Sequence, residues 1–327
     1  MKKTKKILVL TLAILLIISL ASCTTKEKVI TIGVIQYAPH GSLDNCYDGF
    51  ILGLEEAGFV DKDNIKIDFQ NAMGEMDNSD LLASTMVASN YDMLVGIATP
   101  AAMSAYAASK NTSIPVVFSA VSDAVAAGIV KSNEIPGYNV TGTSDVLPLE
   151  EQMQMIRDFL PKAEKIGIIY TTSEPNSVTH LNIFKELAKV YGFTIVEAGV
   201  TNASEVSITA ASLVAKGVDC INNFTDNNVV NNLSSVIHEA NKANIPVFGS
   251  EIEQVKIGCL ASMSIDYVAL GVETGKIAAR ILNGEAASEI PVSLISTSEP
   301  VYNSEVANRL GIAIPDQYVT GDNDMAN

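Results

Sequence analysis

Residues 166–193 read IGIIYTTSEPNSVTHLNIFKELAKVYGF. The opening Ile166 to Tyr170 is a short apolar run, the pattern of a strand buried on both faces of a parallel sheet. Thr171 to Ser177 is small, polar and interrupted by Pro175, which marks a loop. Beyond Ser177, the residues Leu181, Phe184, Leu187, Ala188 and Tyr191 recur at helical spacing, and Gly192 supplies a stop. The stretch therefore predicts a strand, a loop and a helix.

The same succession occurs at residues 32–59, IGVIQYAPHGSLDNCYDGFILGLEEAGF. Ile32-Gly33 corresponds to Ile166-Gly167, and Gly58-Phe59 to Gly192-Phe193, both at an offset of 134. Downstream, Tyr91-Asp92 followed by MLVGIATP corresponds to Val218-Asp219 followed by CINNFTDN. Ile114-Pro115-Val116 corresponds to Ile245-Pro246-Val247. The chain is thus expected to hold two copies of one α/β plan, a domain duplication rather than a short-period solenoid. Alternating strands and helices imply parallel sheets with right-handed crossovers. The expected fold class is α/β, with two similar lobes, each a parallel sheet flanked by helices. A three-segment hinge joins them, and its bending opens and closes a cleft. Loops at the strand C-termini of both lobes face that cleft, where open α/β sheets bind ligands.

In the first half, strands are expected at 30–36, 65–70, 93–98 and 115–118, with helices at 42–57 and 80–89. GTSDVLP, residues 142–148, reads as the first crossing between lobes. The second half carries helices at 149–160, from Ser177, at 205–216 and at 229–243, with strands at 194–200, 219–224 and 246–249. A strand at 255–264 leads back, and a helix at 267–282 returns to the first lobe, with Gly271 and Gly275 spaced for close packing. Residues 291–296 make the third crossing. The expected division is 29–145 with 264–290 as one lobe and 146–263 with 291–319 as the other. The polar, acidic residues 320–327 read as a disordered tail.

Lys2, Lys3, Lys5 and Lys6 precede an apolar core at 7–20. That core is shorter than the roughly 20 residues of a spanning helix, so 1–22 reads as an export signal. Leu20-Ala21-Ser22-Cys23 resembles the bacterial lipobox. The resemblance implies cleavage before Cys23 and a diacylglyceryl thioether on its sulfur; the alternative is an uncleaved anchor helix with a chance cysteine. Two or more acyl chains would anchor the chain durably at the extracytoplasmic face of the cell membrane. Residues 23–28 form a tether.

At about 150 residues per domain, 327 residues imply two domains. Removing the leader with its four lysines takes the net charge from −16 to −20, which argues against nucleic-acid partners. Beyond Cys23 only Cys46, Cys220 and Cys259 remain, an odd and widely spaced set that makes no disulfide framework or zinc site. His40, His180 and His238 make no metal spacing, and His180 reads as a solvated helix residue. The absence of Trp and the 6% aromatic content disfavour a sugar-stacking groove. No nucleophile elbow and no phosphate-cradling glycine loop occur. The expectation is a binding protein without catalytic residues, metal or cofactor.

IATPAAMSA, IPVVFSAVSDAVAAGIV, GYNVTGTSDVLPLEEQ, IIYTTSEPNS, NNFTDNNVV and IPVFGSEIEQVKIG follow in order. Together they resemble the ABC-transporter substrate-binding proteins of the tryptophan/tyrosine type, over about residues 30–314. The resemblance implies the type I periplasmic-binding-protein fold. It also implies a monomer that captures an aromatic amino acid, or a related small zwitterion, and delivers it to the transmembrane subunits of a permease. Ser122-Asp123-Ala124 stands where the family often has Thr-Asp-Pro, and Ser250-Glu251 where it often has Ser-Asp, so the longer Glu251 would reshape the pocket. The alternative is a sensory lipoprotein using the same cleft for a branched-chain amino acid, a nucleoside or a sugar.

A zwitterion needs acceptors for its ammonium and donors for its carboxylate. For the ammonium the expectation is Asp226, beside Asn227, with Asp123 or Glu251 assisting. Asp226 also reads as a helix cap, Asp123 as a turn residue and Glu251 as a solvated side chain. For the carboxylate the expectation is Ser177 with the neighbouring helix-start amides, and Asn176 beside it is a further expected ligand contact. Thr99 and Ser119 face them from the other lobe, and Pro100 and Ser122 are further expected ligand contacts. The repeat makes Thr99 equivalent to Asp226, Ser119 to Ser250, Ser42 to Asn176 and Leu43 to Ser177. Tyr37, Pro39, Leu43 and Tyr170 would line an apolar slot for the aromatic ring, and Gln36 is a further expected ligand contact. Asp145 reads as a hinge brace or a ligand contact, with bracing preferred.

Overall fold

The computed structural model describes residues 29–326. The export signal, the lipidation site Cys23 and the tether lie outside the described residues. The first sheet holds β1 (Ile30–Gln36), β2 (Ile65–Asn71), β3 (Met93–Ile97), β4 (Val116–Ser119), β5 (Val140–Asp145) and β11 (Ser293–Ile295). Their spatial order is β2-β1-β3-β4-β5-β11. The second sheet holds β6 (Lys165–Thr171), β7 (Thr194–Val200), β8 (Cys220–Asn222) and β9 (Val247–Phe248), ordered β7-β6-β8-β9. The order β2-β1-β3-β4 matches β7-β6-β8-β9 element for element, so the two halves share one plan. The pairings from β1 through β3, β4 and β5 to β11, and those of the second sheet, are parallel. The central strands β3 and β4 are wholly buried and almost entirely apolar, while the edge strands β2 and β7 are only partly buried and carry exposed polar residues such as Lys66, Gln70 and Glu197.

The helices of the first lobe are α1 (Gly41–Glu56), α2 (Met76–Ala88), α3 (Thr99–Ser109) and α10 (Tyr267–Leu282). The second lobe carries α4 (Leu149–Phe159), α5 (Pro175–Tyr191), α6 (Val206–Ala215), α7 (Asn227–Asn231), α8 (Leu233–Lys242), α9 (Ile252–Ile257) and α11 (Ser304–Leu310). An antiparallel pair, β10 (Ala261–Ile265) with β12 (Ser298–Tyr302), lies where the chain leaves and re-enters this lobe. The chain crosses between lobes after β5, after β10 and after β11. Among the described residues no helix is long and apolar enough to cross a membrane.

The structure departs from the sequence expectations at four places. The helix expected at 229–243 is two helices, α7 and α8, broken at Asn232. The strand expected at 255–264 is α9 followed by β10. Glu251 caps α9 through the Glu253 N–H, and Gly258 at φ 129° turns the chain out of it. Ser293–Ile295 pair with Thr143–Asp145, so the third crossing begins later than residue 291. The tail expected to be disordered is docked as far as 326. Asn323 accepts from the Tyr302 N–H and donates to the Pro300 and Tyr318 carbonyls, and the Asp324 carboxylate accepts the Ser304 N–H.

The first lobe is held by an unusually close helix pair. Gly49 and Gly53 of α1 face Gly271 and Gly275 of α10, four residues apart on each helix and therefore on one side. A Cβ on Gly49 would come within 2.9 Å of the Gly271 Cα and would overlap the Val268 carbonyl. In an ordinary helix interior Gly→Ala is stabilising by about 0.5–1 kcal/mol. Here the sign reverses: Gly49→Ala or Gly271→Ala is expected to destabilise the protein by about 1–3 kcal/mol. Urea denaturation checks this, and a raised midpoint would show that the helices have room to spare.

Candidate functional site

A small cavity lies between the lobes at the C-terminal ends of the strands. From the first lobe, Ala98 and Thr99 follow β3, Ala120 and Ser122 follow β4, and Asp145 ends β5. His40, Ser42 and Leu43 come from the start of α1 and Tyr267 from the start of α10. Asn176, Thr225 and Asn227 line it from the second lobe. Ala98 has φ 76° and ψ 156°, and Ala120 has φ 54°, both rare for residues with a side chain. Such strain persists only where the surroundings enforce it. It turns the ends of two adjacent strands toward the cavity. No side chain caps α1 or α3, so the amides of their first turns keep their positive ends open to an anion.

Three buried polar atoms on this cavity have no partner, His40 Nδ1, Asn176 Oδ1 and Thr225 Oγ1, while Ser42 Oγ faces the Glu251 carboxyl of the other lobe. Each such atom costs about 1–3 kcal/mol. Their clustering on one cavity points to a polar ligand as the missing partner. The Asp145 carboxylate accepts from Ser122 Oγ at 3.1 Å and from Tyr267 Oη at 2.9 Å. Burial pushes its pKa up to about 6. Neither lysine nor arginine lines the cavity. The only imidazole there, His40, is lowered to about 4 by burial and is neutral. The site is a negative, cation-poor enclosure.

The lobes are shut over it. His40 Nε2 lies 3.3 Å from Asn227 Oδ1, and Asn45 Nδ2 donates to Glu253 Oε1 at 3.3 Å. A Cβ on Gly41 would meet Glu253 Cγ at 2.9 Å, so a larger residue there would push the Glu253 side chain aside. The cavity has about 20 Å³ of room for water centres, a little more than the roughly 10–15 Å³ that one water needs. Admission of a larger molecule therefore requires the lobes to part.

Of the residues expected from sequence, Leu43, Thr99, Ser122, Asn176, Asn227 and Asp145 line the cavity. Asp226 does not. It is fully buried, and its two oxygens accept from the Thr171 N–H, Thr171 Oγ1 (2.7 Å), Ser177 Oγ (2.6 Å) and the Val229 N–H (3.0 Å). Four donors leave it nothing for an ammonium, so its role is that of the cap, and Ser177 is consumed with it. Ser119 Oγ pairs with Thr274 Oγ1 at 3.0 Å and helps pin α10 to the sheet. Asp123 accepts the Ala126 N–H in a turn. Glu251 is not solvated but 1% exposed, and burial pushes it up to about 7. Pro100 is buried in the first turn of α3, and Gln36 donates to the Ala38 carbonyl and Asp44. Tyr37 is buried near Glu174, Pro39 is exposed, and Tyr170 lies over Gly199 of the neighbouring strand. His180, expected in solvent, is buried with its ring 5.6 Å from that of Phe224.

Sequence reasoning missed His40, Ser42, Ala98, Ala120, Thr225 and Tyr267, and also Glu174 just behind the wall. Ser42 carried a signal, its equivalence to Asn176. Glu174, in a Ser-Glu-Pro loop, carried none.

Glu174 and Asp226 are buried side by side, and both are raised by burial. Asp226, with four donors, keeps the charge, and that charge adds to burial in raising Glu174 to about 8. Glu174, Glu251 and Asp145 thus hold protons in the folded state at pH values where the unfolded chain has lost them. Stability from these groups is fully present below about pH 4 and is lost as pH rises through 6 to 8. His40 and His180, both lowered to about 4, act oppositely but only below the unfolded value of about 6.5. The ligand-free protein is therefore expected to lose on the order of 1–2 kcal/mol between pH 6.5 and 8. Thermal unfolding across that range checks it, with Glu174→Gln and Glu251→Gln flattening the profile.

Residues 31–323 match the family described as ABC transporter substrate binding protein. A tyrosine-binding protein of Clostridioides difficile is 40% identical over 287 residues, which is 88% of this chain and 82% of that protein. Among solved structures, an ABC domain in complex with L-Trp from Streptococcus pneumonia superposes with a TM-score of 0.86 at 36% identity, covering 89% of this chain and 97% of that one. The ligand-free, open structure of a substrate binding protein with adhesive properties from Clostridium difficile is 39% identical, covering 90% and 98%, with a TM-score of 0.67. At nearly equal identity, the lobes here are arranged more like those of the L-Trp complex than those of the open form. This chain belongs to the ABC transporter substrate-binding protein family and is an extracytoplasmic solute-binding protein, not an enzyme.

Proposed function

We propose that this protein captures the zwitterion of an aromatic amino acid between its lobes and delivers it to the transmembrane subunits of an ABC permease, held at the membrane by a lipid on Cys23. The observation that carries the ligand reading is Asp145, a buried carboxylate on a cavity with no basic side chain. A ligand ammonium supplies the missing cation, and charge-assisted hydrogen bonds in such an enclosure are the strong ones. Asn176 Oδ1 offers the ammonium a second acceptor. The uncapped starts of α1 and α3, with the Ser42 and Thr99 hydroxyls, suit the carboxylate without a basic residue. Asp145 thus takes the ammonium role that sequence reasoning gave to Asp226. The aromatic side chain is supported by the tyrosine-binding relative and the L-Trp complex, with Leu43 and Tyr267 as apolar wall. A ligand that touches both lobes favours the closed form by its added contacts, and closure is then the signal for delivery.

A thermal-shift panel tests the ligand. L-Tyr, L-Trp or L-Phe at 100 times its dissociation constant is expected to add about 2.7 kcal/mol of stability. Sugars and nucleosides are expected to add none. Asp145→Asn is expected to weaken amino-acid binding roughly 10- to 100-fold, the worth of about 1.5–3 kcal/mol for a hydrogen bond to a charged group. A response to a sugar with flat amino-acid curves would remove the ligand assignment. For the anchor, Cys23→Ser is expected to shift the protein from the membrane fraction to the soluble one, and unchanged partitioning would count against lipidation.

A further inference from the structure

We infer that Glu174 is a positioning residue that never touches the ligand but turns the acceptor oxygen of Asn176 into the cavity and leaves His40 Nδ1 as a bare acceptor, so that the site selects a ligand bearing an amine. The inference rests on the zwitterion reading above.

Glu174 stands at the N-cap position of α5, yet its side chain caps nothing there. It is 2% exposed and turned toward the start of α7. Its Oε2 accepts the Asn227 N–H at 3.2 Å, Asn227 Nδ2 at 2.7 Å and Asn176 Nδ2 at 3.4 Å. The Asn176 amino group also reaches the Thr225 carbonyl at 3.3 Å. With its amino group directed at two acceptors, Asn176 can present only its oxygen to the cavity, and that oxygen has no partner.

Asn227 is set the same way. Its amino group is held by Glu174, so its Oδ1 faces His40 Nε2 of the other lobe at 3.3 Å. An amide oxygen only accepts, so Nε2 carries the imidazole hydrogen. The other ring nitrogen, Nδ1, is then a bare lone pair, buried and without a partner. One buried carboxyl thus orients Asn176 and Asn227 directly and His40 through Asn227. The outcome is two unpartnered acceptors, Asn176 Oδ1 and His40 Nδ1, where a flipped amide would offer a donor. An ammonium has only donors and fits; a carboxylate or carbonyl does not. Burial and the Asp226 charge keep Glu174 protonated near neutrality. Its unpartnered Oε1 carries that proton, because Oε2 is occupied as an acceptor. Glutamine at 174 preserves that arrangement, with a carbonyl oxygen for Oε2 and an N–H for the protonated oxygen.

The experiment compares L-tyrosine with 3-(4-hydroxyphenyl)propanoate, which lacks only the amine, by calorimetry on wild type, Glu174→Leu and Glu174→Gln. Wild type is expected to prefer L-tyrosine. Glu174→Leu is expected to weaken L-tyrosine by roughly 10-fold or more while leaving the amine-free acid within about 3-fold, as loss of an acceptor for a charged donor implies. Glu174→Gln is expected to keep the wild-type preference. Equal weakening of both ligands in Glu174→Leu, or an unchanged preference, would overturn the positioning role and leave the ligand reading standing. A wild type that binds neither L-tyrosine nor L-tryptophan would overturn both. Nitrogen NMR of L-tyrosine-bound wild type gives a check that does not depend on a variant folding. His40 is expected as the Nε2–H tautomer, and an Nδ1–H tautomer would reject the orientation chain.

Discussion

Four hydrogen bonds converge on the Asp226 carboxylate, and the whole second-lobe face of the site is arranged by them. They come from the end of β6, the start of α5 and the start of α7. A charge so deeply buried survives only with this many donors and with helix N-termini pointing at it. Fixing these three segments against one another also fixes what they carry: Glu174, Asn176, Thr225 and Asn227. Because two adjacent carboxyls in a dry site cannot both ionise, the charge on Asp226 leaves Glu174 as the protonated partner.

Duplication produced two lobes of one plan, yet the lobes have divided the work. The first contributes a carboxylate without a cation, two strained alanines and two uncapped helix starts. The second contributes amides whose orientation is imposed from behind. Thr99 and Asp226 occupy equivalent places after equivalent strands. Thr99 opens on the cavity, while Asp226 is locked beneath it. Equivalence in the repeat located the ends of the strands correctly and said nothing about which side chain would remain free.

The body of each lobe is built to hold its shape while the gap between them changes. Glycines of α1 and α10 let two backbones touch, and Thr274 ties α10 to β4 and β5 through Ser119 and Thr143. Contacts across the gap are few and polar: His40 with Asn227, and Asn45 with Glu253. Partly exposed polar pairs of this kind hold weakly on their own. Closure therefore depends on what lies between the lobes, which is the property a capture protein needs.

Much of this was legible without coordinates. The repeat at an offset of 134, the apolar runs of the central strands, and the glycine-spaced helix at 267–282 are local patterns, and local patterns survive in the chain as written. They determined the α/β class, the duplication and the cleft at the strand ends. Only the tertiary structure decided which acid lines the cavity. Ser177 reaches Asp226 across 49 residues, and Tyr267 reaches Asp145 across 122. A sequence displays that an aspartate stands at the end of a strand. How many donors fold back onto it, and so whether it has anything left for a ligand, is settled by segments brought together only in space.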